Sequence, residues 1–386
     1  MRLARALTAA VLAAGFAVAT AADPPPPTKK QPAQEQRKLL RQQQKAEEAR
    51  KAEEARKAEA SEPAPAYSAA ARPVVAVATP APRPVPTGPE ARDAVALATL
   101  IDRQVDAKLA AEKVPASPPC TDAEFLRRAY LDLTGVIPPA DKAREFLDST
   151  DPQKRARLID DLLADPNYGR HLADLWTPKL FPRDSANRFA KKEPLADWLA
   201  GRFNANTPWD KMVTELVTAT GTIEENPAAT YFVANRTVDK LTDTVSQHFL
   251  GVQLQCAQCH NHPFTGWKQT EYWAMAAFFS KVVADNPKNP KKGGEPSEAG
   301  VREGPAKSRM KDFFPEAAKD VPAKFLGGPA PALDPKQPYR PALAAWLTAA
   351  DNPYFARAMV NRTWARLHGR GFVDPVDDMH DGNPPS

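Results

Sequence analysis

From residue 91 onward, apolar side chains recur at the three- and four-residue spacing that is typical of amphipathic α-helices. The first stretch places a row of such residues on one helical face: Val95, Leu97, Leu100, Ile101, Val105 and Leu109. A later stretch turns Phe146 and Leu147 inward. The helix expected after Asp151 carries four apolar residues: Leu158, Ile159, Leu162 and Leu163. Because no stretch shows the sustained alternation of a β-strand, the pattern predicts an all-α fold.

Helix start and stop signals border these stretches. Thr121 and Glu124 have the spacing of a capping box, in which each side chain accepts a hydrogen bond from the other residue's backbone amide. Asp151 and Asp165 each stand before a proline, which suits the first position of a helix, so a helix is expected to begin directly after each of them. Gly135 follows the last apolar position of its stretch and predicts a helix end there. Asn352 precedes a final helix that ends at a glycine.

The N-terminal 90 residues have a different composition. Residues 1–22 combine two arginines, an alanine-rich apolar run and an Ala-Thr-Ala cleavage pattern, which predicts a secretory signal peptide. A retained membrane anchor is the alternative. Residues 23–90 are rich in proline and alanine, with a charged helix expected at about 34–60, and predict a disordered spacer. We therefore expect an exported protein of the periplasm or cell envelope, without a transmembrane span in the mature chain.

Three regions are expected beyond the spacer. Residues 91–283 predict a helical domain. Residues 284–340 are polar and turn-rich, and predict a flexible linker. Residues 341–386 predict the start of a second helical domain that looks truncated at the C-terminus.

Composition excludes several classes of function. The 52 Lys and Arg residues exceed the 47 Asp and Glu residues by only five, which is too weak a positive charge to indicate nucleic-acid binding. Three cysteines cannot staple a fold of 386 residues. The 17 glycines form no phosphate-binding loop, and no nucleophile–base arrangement of convincing specificity is present, so enzymatic activity is left open.

One motif carries recognisable chemistry. The sequence Cys256-Ala257-Gln258-Cys259-His260 has the C-x-x-C-H spacing at which c-type haem is attached. The two thiols would bond to the vinyl groups of the porphyrin, and His260 would bind the iron. Met275 is the nearest candidate for the opposite axial position, and aromatic residues at 264–279 could wall the macrocycle. This interpretation predicts electron transfer with an unknown redox or envelope partner.

Two alternatives remain open at this stage. Cys256, Cys259, His260 and His262 together could bind zinc or iron in a structural or binding module. His262 separates this alternative from haem, since only a small metal ion needs it. The cysteines could also lack any cofactor, in which case the protein would be an envelope scaffold.

Several long blocks resemble a known family. Residues 125–139, FLRRAYLDLTGVIPP, residues 161–170, DLLADPNYGR, and residues 256–264, CAQCHNHPF, resemble the planctomycete cytochrome c-like domain of unknown function. Residues 358–373, AMVNRTWARLHGRGFV, resemble the start of the domain of unknown function that usually follows it. The resemblance implies an exported envelope protein of unestablished activity, with its Cys and His positions at Cys256, Cys259, His260 and His262.

Overall fold

The structure is a computed structural model, and it describes residues 94–183, 185, 187, 190–285, 299–304 and 321–385. These residues all belong to one compact unit, Ala78–Ser386. The predicted signal peptide, the proline- and alanine-rich spacer and its charged helix lie outside the described residues. Within the described part, no helix combines the length and apolarity needed to cross a membrane.

The described residues are mostly helical, which confirms the predicted fold class. The helices are α1 Ala94–Glu112, α2 Asp122–Thr134, α3 Ala140–Asp148, α4 Lys154–Ala164, α5 Pro166–Leu180, α6 Glu193–Asn204, α7 Trp209–Val217, α8 Thr230–Ala234, α9 Val238–Phe249, α10 Gln269–Ala276, α11 Arg340–Leu347 and α12 Phe355–His368. Short 3-10 helices cover Pro227–Ala229, Gln255–Gln258 and Ala277–Phe279.

A small antiparallel sheet accompanies the helices. Its strands are β1 Gly221–Thr222, β2 Val282–Asp285 and β3 Gly300–Glu303, in the order β1-β3-β2. Gly221 pairs with Val301, and Val282 pairs with Glu303. Strands of two and four residues are too short to show a recognisable alternation, so the sequence pattern did not predict them.

Local helix signals are confirmed where they depend on neighbouring residues. Thr121 and Glu124 form the capping box at the start of α2, and Gly135 ends that helix in the left-handed conformation. The Asp165 side chain accepts from the Asn167 amide at the start of α5. The residues after Asp151 differ from the expectation: they form a turn, and α4 begins only at Lys154.

The hydrophobic core lies among α5–α11 and the sheet. Its largest fully buried aromatic side chains are Trp273, Tyr231, Tyr272, Phe232, Phe249, Phe278 and Phe279. Helix α1 buries no residue: on its predicted apolar face, Ile101 and Leu109 are partly buried and the other four side chains are exposed. The inward orientation predicted for Leu147 is also wrong, because this side chain is exposed, whereas Phe146 is buried. Of the apolar residues on α4, Leu162 is buried, while Ile159 and Leu163 are exposed.

Parts of the predicted linker belong to this core. Residues 300–303 form the central strand of the sheet, and Leu326 is buried among the core residues. These parts of 284–340 therefore differ from the flexible linker that the sequence predicts there. Residues 286–298 and 305–320 lie outside the described part of the chain.

The C-terminal segment is attached to the same core by a buried arginine. Arg340 is only 1% exposed, and its Nη1 donates to the carbonyls of Val217 at 3.0 Å and Ala219 at 2.8 Å. Its Nε donates to Glu303 Oε1 at 2.7 Å. Because the guanidinium neutralises Glu303 and satisfies two carbonyls, it joins α11 to α7 and to the sheet.

Candidate functional site

The two cysteines of the motif lie on one short turn. The 3-10 helix Gln255–Gln258 follows α9, and Cys259 comes directly after it. Cys256 and Cys259 are exposed and carry free thiols. Because side chains three residues apart eclipse each other in a 3-10 helix, the spacing brings both thiols to the same side of the turn.

The residues between the cysteines anchor the turn to the core. Ala257 is fully buried, and its amide donates to the Leu254 carbonyl at 2.8 Å. The Gln258 carbonyl accepts from Trp273 Nε1 and from Gln269 Nε2, both at 3.1 Å. The small Ala257 side chain thus faces inward, while the thiols remain accessible.

The hydrogen bonding of His260 fixes which ring nitrogen is free. Its Nδ1 lies 2.6 Å from the Asn261 carbonyl oxygen. A carbonyl oxygen can only accept, so Nδ1 carries the proton in this arrangement. The Nε2 lone pair of the neutral ring is left for a ligand, which is the arrangement common among metal-binding histidines.

His262 has the opposite arrangement. Its Nδ1 accepts from the backbone amides of Phe264 at 3.3 Å and Thr265 at 3.1 Å, so the proton of the neutral ring lies on Nε2. Partial burial and nearby His380 lower the pKa of His262. The ring is therefore neutral and holds the loop that follows the motif.

Met275 and most of the aromatic residues after the motif lie in the core. Met275 is fully buried, as are Tyr272, Phe278 and Phe279. The expected aromatic wall for a macrocycle is thus wrong for these side chains, because they belong to the hydrophobic core. Trp267 is only partly buried, and Phe264 is 82% exposed beside the motif.

The sulfur and nitrogen atoms of the motif do not converge on a single point. Among the residues that the structure describes, no group of three or more His, Cys, Asp or Glu side chains is arranged to hold a metal ion. A cavity of about 300 Å³ is lined by Lys281, Glu303, Gly304 and residues 335–338, and includes none of the predicted site residues. The motif therefore offers two accessible thiols and one imidazole on a surface turn.

The C-terminal segment borders this turn, which sequence reasoning missed. The Met379 amide donates to the Gly251 carbonyl at 2.8 Å. Asp377 accepts from Gln253 Nε2 at 3.2 Å, just before the motif. His380 is close enough to His262 to lower its pKa. A separation of more than 100 residues leaves no signal of this contact in a local sequence pattern.

A buried acid lies behind the turn and was also missed. Tyr272, whose ring is next to Trp273, donates through its hydroxyl to Asp243 Oδ1 at 3.0 Å. Burial raises the pKa of Asp243 to about 6, and burial together with Asp243 raises the pKa of Tyr272. In the sequence, Asp243 has the appearance of an ordinary polar position on α9.

Comparison with known protein families places two matches on the chain. Residues 100–284 match PSCyt2, described as a protein of unknown function (DUF1549). Residues 339–386 match PSD1, described as a protein of unknown function (DUF1553). The chain thus contains a DUF1549 domain followed by a DUF1553 segment, which confirms the domain pairing indicated by the sequence blocks. No curated protein and no solved structure shows significant similarity to the chain.

Proposed function

We propose that this is an exported envelope protein that carries haem c on Cys256 and Cys259, with His260 as iron ligand, and serves in electron transfer. The observation that carries the proposal is the pairing of two free, exposed thiols on one turn with an imidazole whose Nδ1 is held by the Asn261 carbonyl. Haem attached in this way would supply one-electron transfer at its iron.

The thiols have the chemistry that attachment requires. Cys256 and Cys259 would hold the haem through thioether bonds: each S–H would add across one vinyl group, with the sulfur on one vinyl carbon and the hydrogen on the other, and with no net oxidation. This addition needs reduced cysteines, and both are free in the structure. Anchored Ala257 keeps the pair facing outward, and Phe264 is available to cover an apolar ligand on that surface.

His262 argues for haem over zinc or iron held directly by the Cys and His cluster. Coordination through His262 Nε2 would require the proton to move to Nδ1, and both backbone hydrogen bonds to Nδ1 would then be lost. His260 requires no such change. This difference supports one histidine as ligand and the other as a holder of the loop.

Export fits the same proposal. The predicted signal peptide would deliver the chain to the compartment in which haem is attached. The redox partner would then be another protein of the periplasm or cell envelope. Met275 is not included as the second axial ligand, because its side chain is fully buried in the core.

The test is production of the full chain in a host that matures c-type cytochromes, followed by denaturing electrophoresis with haem staining. We expect the unaltered chain to stain, Cys256→Ala and Cys259→Ala each to weaken the staining, and His260→Ala to change the absorption spectrum. His262→Ala should leave the stain in place and is the matched control.

Two results would overturn the proposal. An unstained band with stoichiometric zinc or iron by elemental analysis would favour a metal-binding module. An unstained band without metal would favour a cofactor-free scaffold. Circular dichroism of each variant shows whether a lost stain reflects lost folding.

A further inference from the structure

Three basic side chains lie on helices that pack together, since α9 packs against both α5 and α12. They are Lys179 near the end of α5, His248 on α9 and Arg362 on α12. All three are partly buried. Arg362 lies over the Trp176 ring, with its guanidinium carbon 5.7 Å from the ring centroid. We refer to Lys179, His248 and Arg362 as the basic cluster.

The hydrogen-bonding capacity of the basic cluster is largely unused. Arg362 makes one long bond, from Nη2 to the Gln247 carbonyl at 3.5 Å, and its buried Nε has no partner. His248 hydrogen-bonds to the Lys179 backbone, and its buried Nδ1 has no partner. Within the part of the chain that the structure describes, the Lys179 ammonium has neither a hydrogen bond nor an ion pair.

The carboxylate of Asp377 lies near the basic cluster, but its hydrogen bonds are made with glutamine side chains. Asp377 accepts from Gln247 Nε2 at 2.7 Å and from Gln253 Nε2 at 3.2 Å. It forms no ion pair with Lys179 or Arg362 among the described residues. Burial lowers the pKa of Lys179 and of Arg362, and the nearby charge of Asp377 raises both pKa values.

Buried charges are normally paired, because removing an ion from water costs several kcal/mol. Two cations against one carboxylate leave an excess of one positive charge, before any protonation of His248. Burial, together with Arg362 and Lys179, lowers the pKa of His248 to about 4. Lys179 and Arg362 thus repel each other and disfavour the protonated form of His248, and an anion between them would remove that repulsion.

We propose that the basic cluster of Lys179, His248 and Arg362 is a binding site for a phosphate-type oxyanion. Arg362 offers a planar set of donors and Lys179 a compact charge, the combination that suits a tetrahedral group with several acceptor oxygens. His248 adds a third donor once the anion favours its protonated form. This site is separate from the cysteine turn and does not depend on haem.

The test uses inorganic phosphate as the probe, with sodium chloride at equal ionic strength as the control for screening. We expect phosphate to raise the melting temperature of the full chain and to raise the pKa of His248, measured from its ring protons by NMR. Arg362→Gln and Lys179→Gln should each weaken phosphate binding by about tenfold or more. Arg357→Gln, an exposed position on the same helix, should leave it unchanged.

A merely structural role would give different results. Removing one of two partly buried cations relieves their repulsion, so Lys179→Gln should keep or raise the melting temperature in phosphate-free buffer while losing the response to phosphate. A parallel titration with glycerol phosphate distinguishes a phosphate ester from the free ion by which of the two binds more tightly. If neither probe changes the His248 pKa in the unaltered chain, the proposal is overturned.

Discussion

Helices α2–α4 and helices α5–α7 have similar apolar spacing in the sequence, yet their burial differs. In α7, Met212, Val213, Leu216 and Val217 are all buried. In α4, the same spacing buries only Leu162. The comparison teaches that periodicity predicts a helix and its inner face, whereas the depth of burial depends on what packs against that face.

Buried and exposed side chains lie next to each other within the cysteine motif. Ala257 is fully buried, while Cys256 and Cys259 on either side of it are exposed. The core therefore holds the turn, and the surface keeps the thiols available. Substitutions on the two sides of this boundary should have very different effects.

The largest effect should come from the buried arginine. Arg340→Ala leaves Glu303 and the carbonyls of Val217 and Ala219 without their donor. We expect the free energy of unfolding to fall by about 3–5 kcal/mol, measured by urea denaturation. Arg127→Ala, at an exposed position on α2, should change it by less than about 0.5 kcal/mol. Equal losses of unfolding free energy in the two variants would contradict the difference expected between a buried and an exposed arginine.

Two leucines compare the core with the peripheral helix α1. Leu195 is fully buried on α6, so Leu195→Ala should cost about 2–5 kcal/mol through lost burial and a cavity. Leu97 is 51% exposed on α1, and Leu97→Ala should cost less than about 0.5 kcal/mol. A large loss at Leu97 in urea denaturation would mean that α1 is covered in solution.

Two glycines test the closest contact between α5 and α6. A Cβ at Gly169 would lie 2.3 Å from the Ala200 carbonyl oxygen, so Gly169→Ala should destabilise the protein by about 1–3 kcal/mol. A Cβ at Gly201 would meet nothing within 4 Å. Gly201→Ala should therefore stabilise by up to about 1 kcal/mol through helix propensity. Thermal unfolding of both variants is the measurement, and a Gly169→Ala variant as stable as the unaltered protein would contradict the close packing of α5 against α6.

The smallest expected effect is the loss of folding stability at acidic pH that His248 causes. Burial, together with Arg362 and Lys179, lowers the pKa of His248 from its ordinary value of 6.5 to about 4 in the folded protein. Between these values the unfolded chain binds a proton that the folded protein does not, so stability should fall as pH decreases from 6.5 to 4. His248→Gln should remove on the order of 1–2 kcal/mol of this loss in phosphate-free buffer. An unchanged pH profile would contradict the burial of this ring.

The sequence analysis predicted features that depend on neighbouring residues and missed contacts between residues far apart in the chain. The Thr121 capping box and the cysteine spacing depend on residues within one turn, so their patterns are visible in the chain. The contact of Asp377 with Gln253 joins residues far apart in the sequence. The different roles of His260 and His262 also escaped prediction, because they arise from hydrogen bonds with the folded backbone.

The central claim is that Cys256 and Cys259 carry haem, and intact-mass analysis with thiol alkylation tests it most directly. Full-length protein from a cytochrome-maturing host should be heavier by one haem under denaturing conditions. After unfolding, only Cys120 should be alkylated, since it lies outside the motif and is a free thiol. A chain without the added mass, in which all three cysteines are alkylated, would contradict the claim.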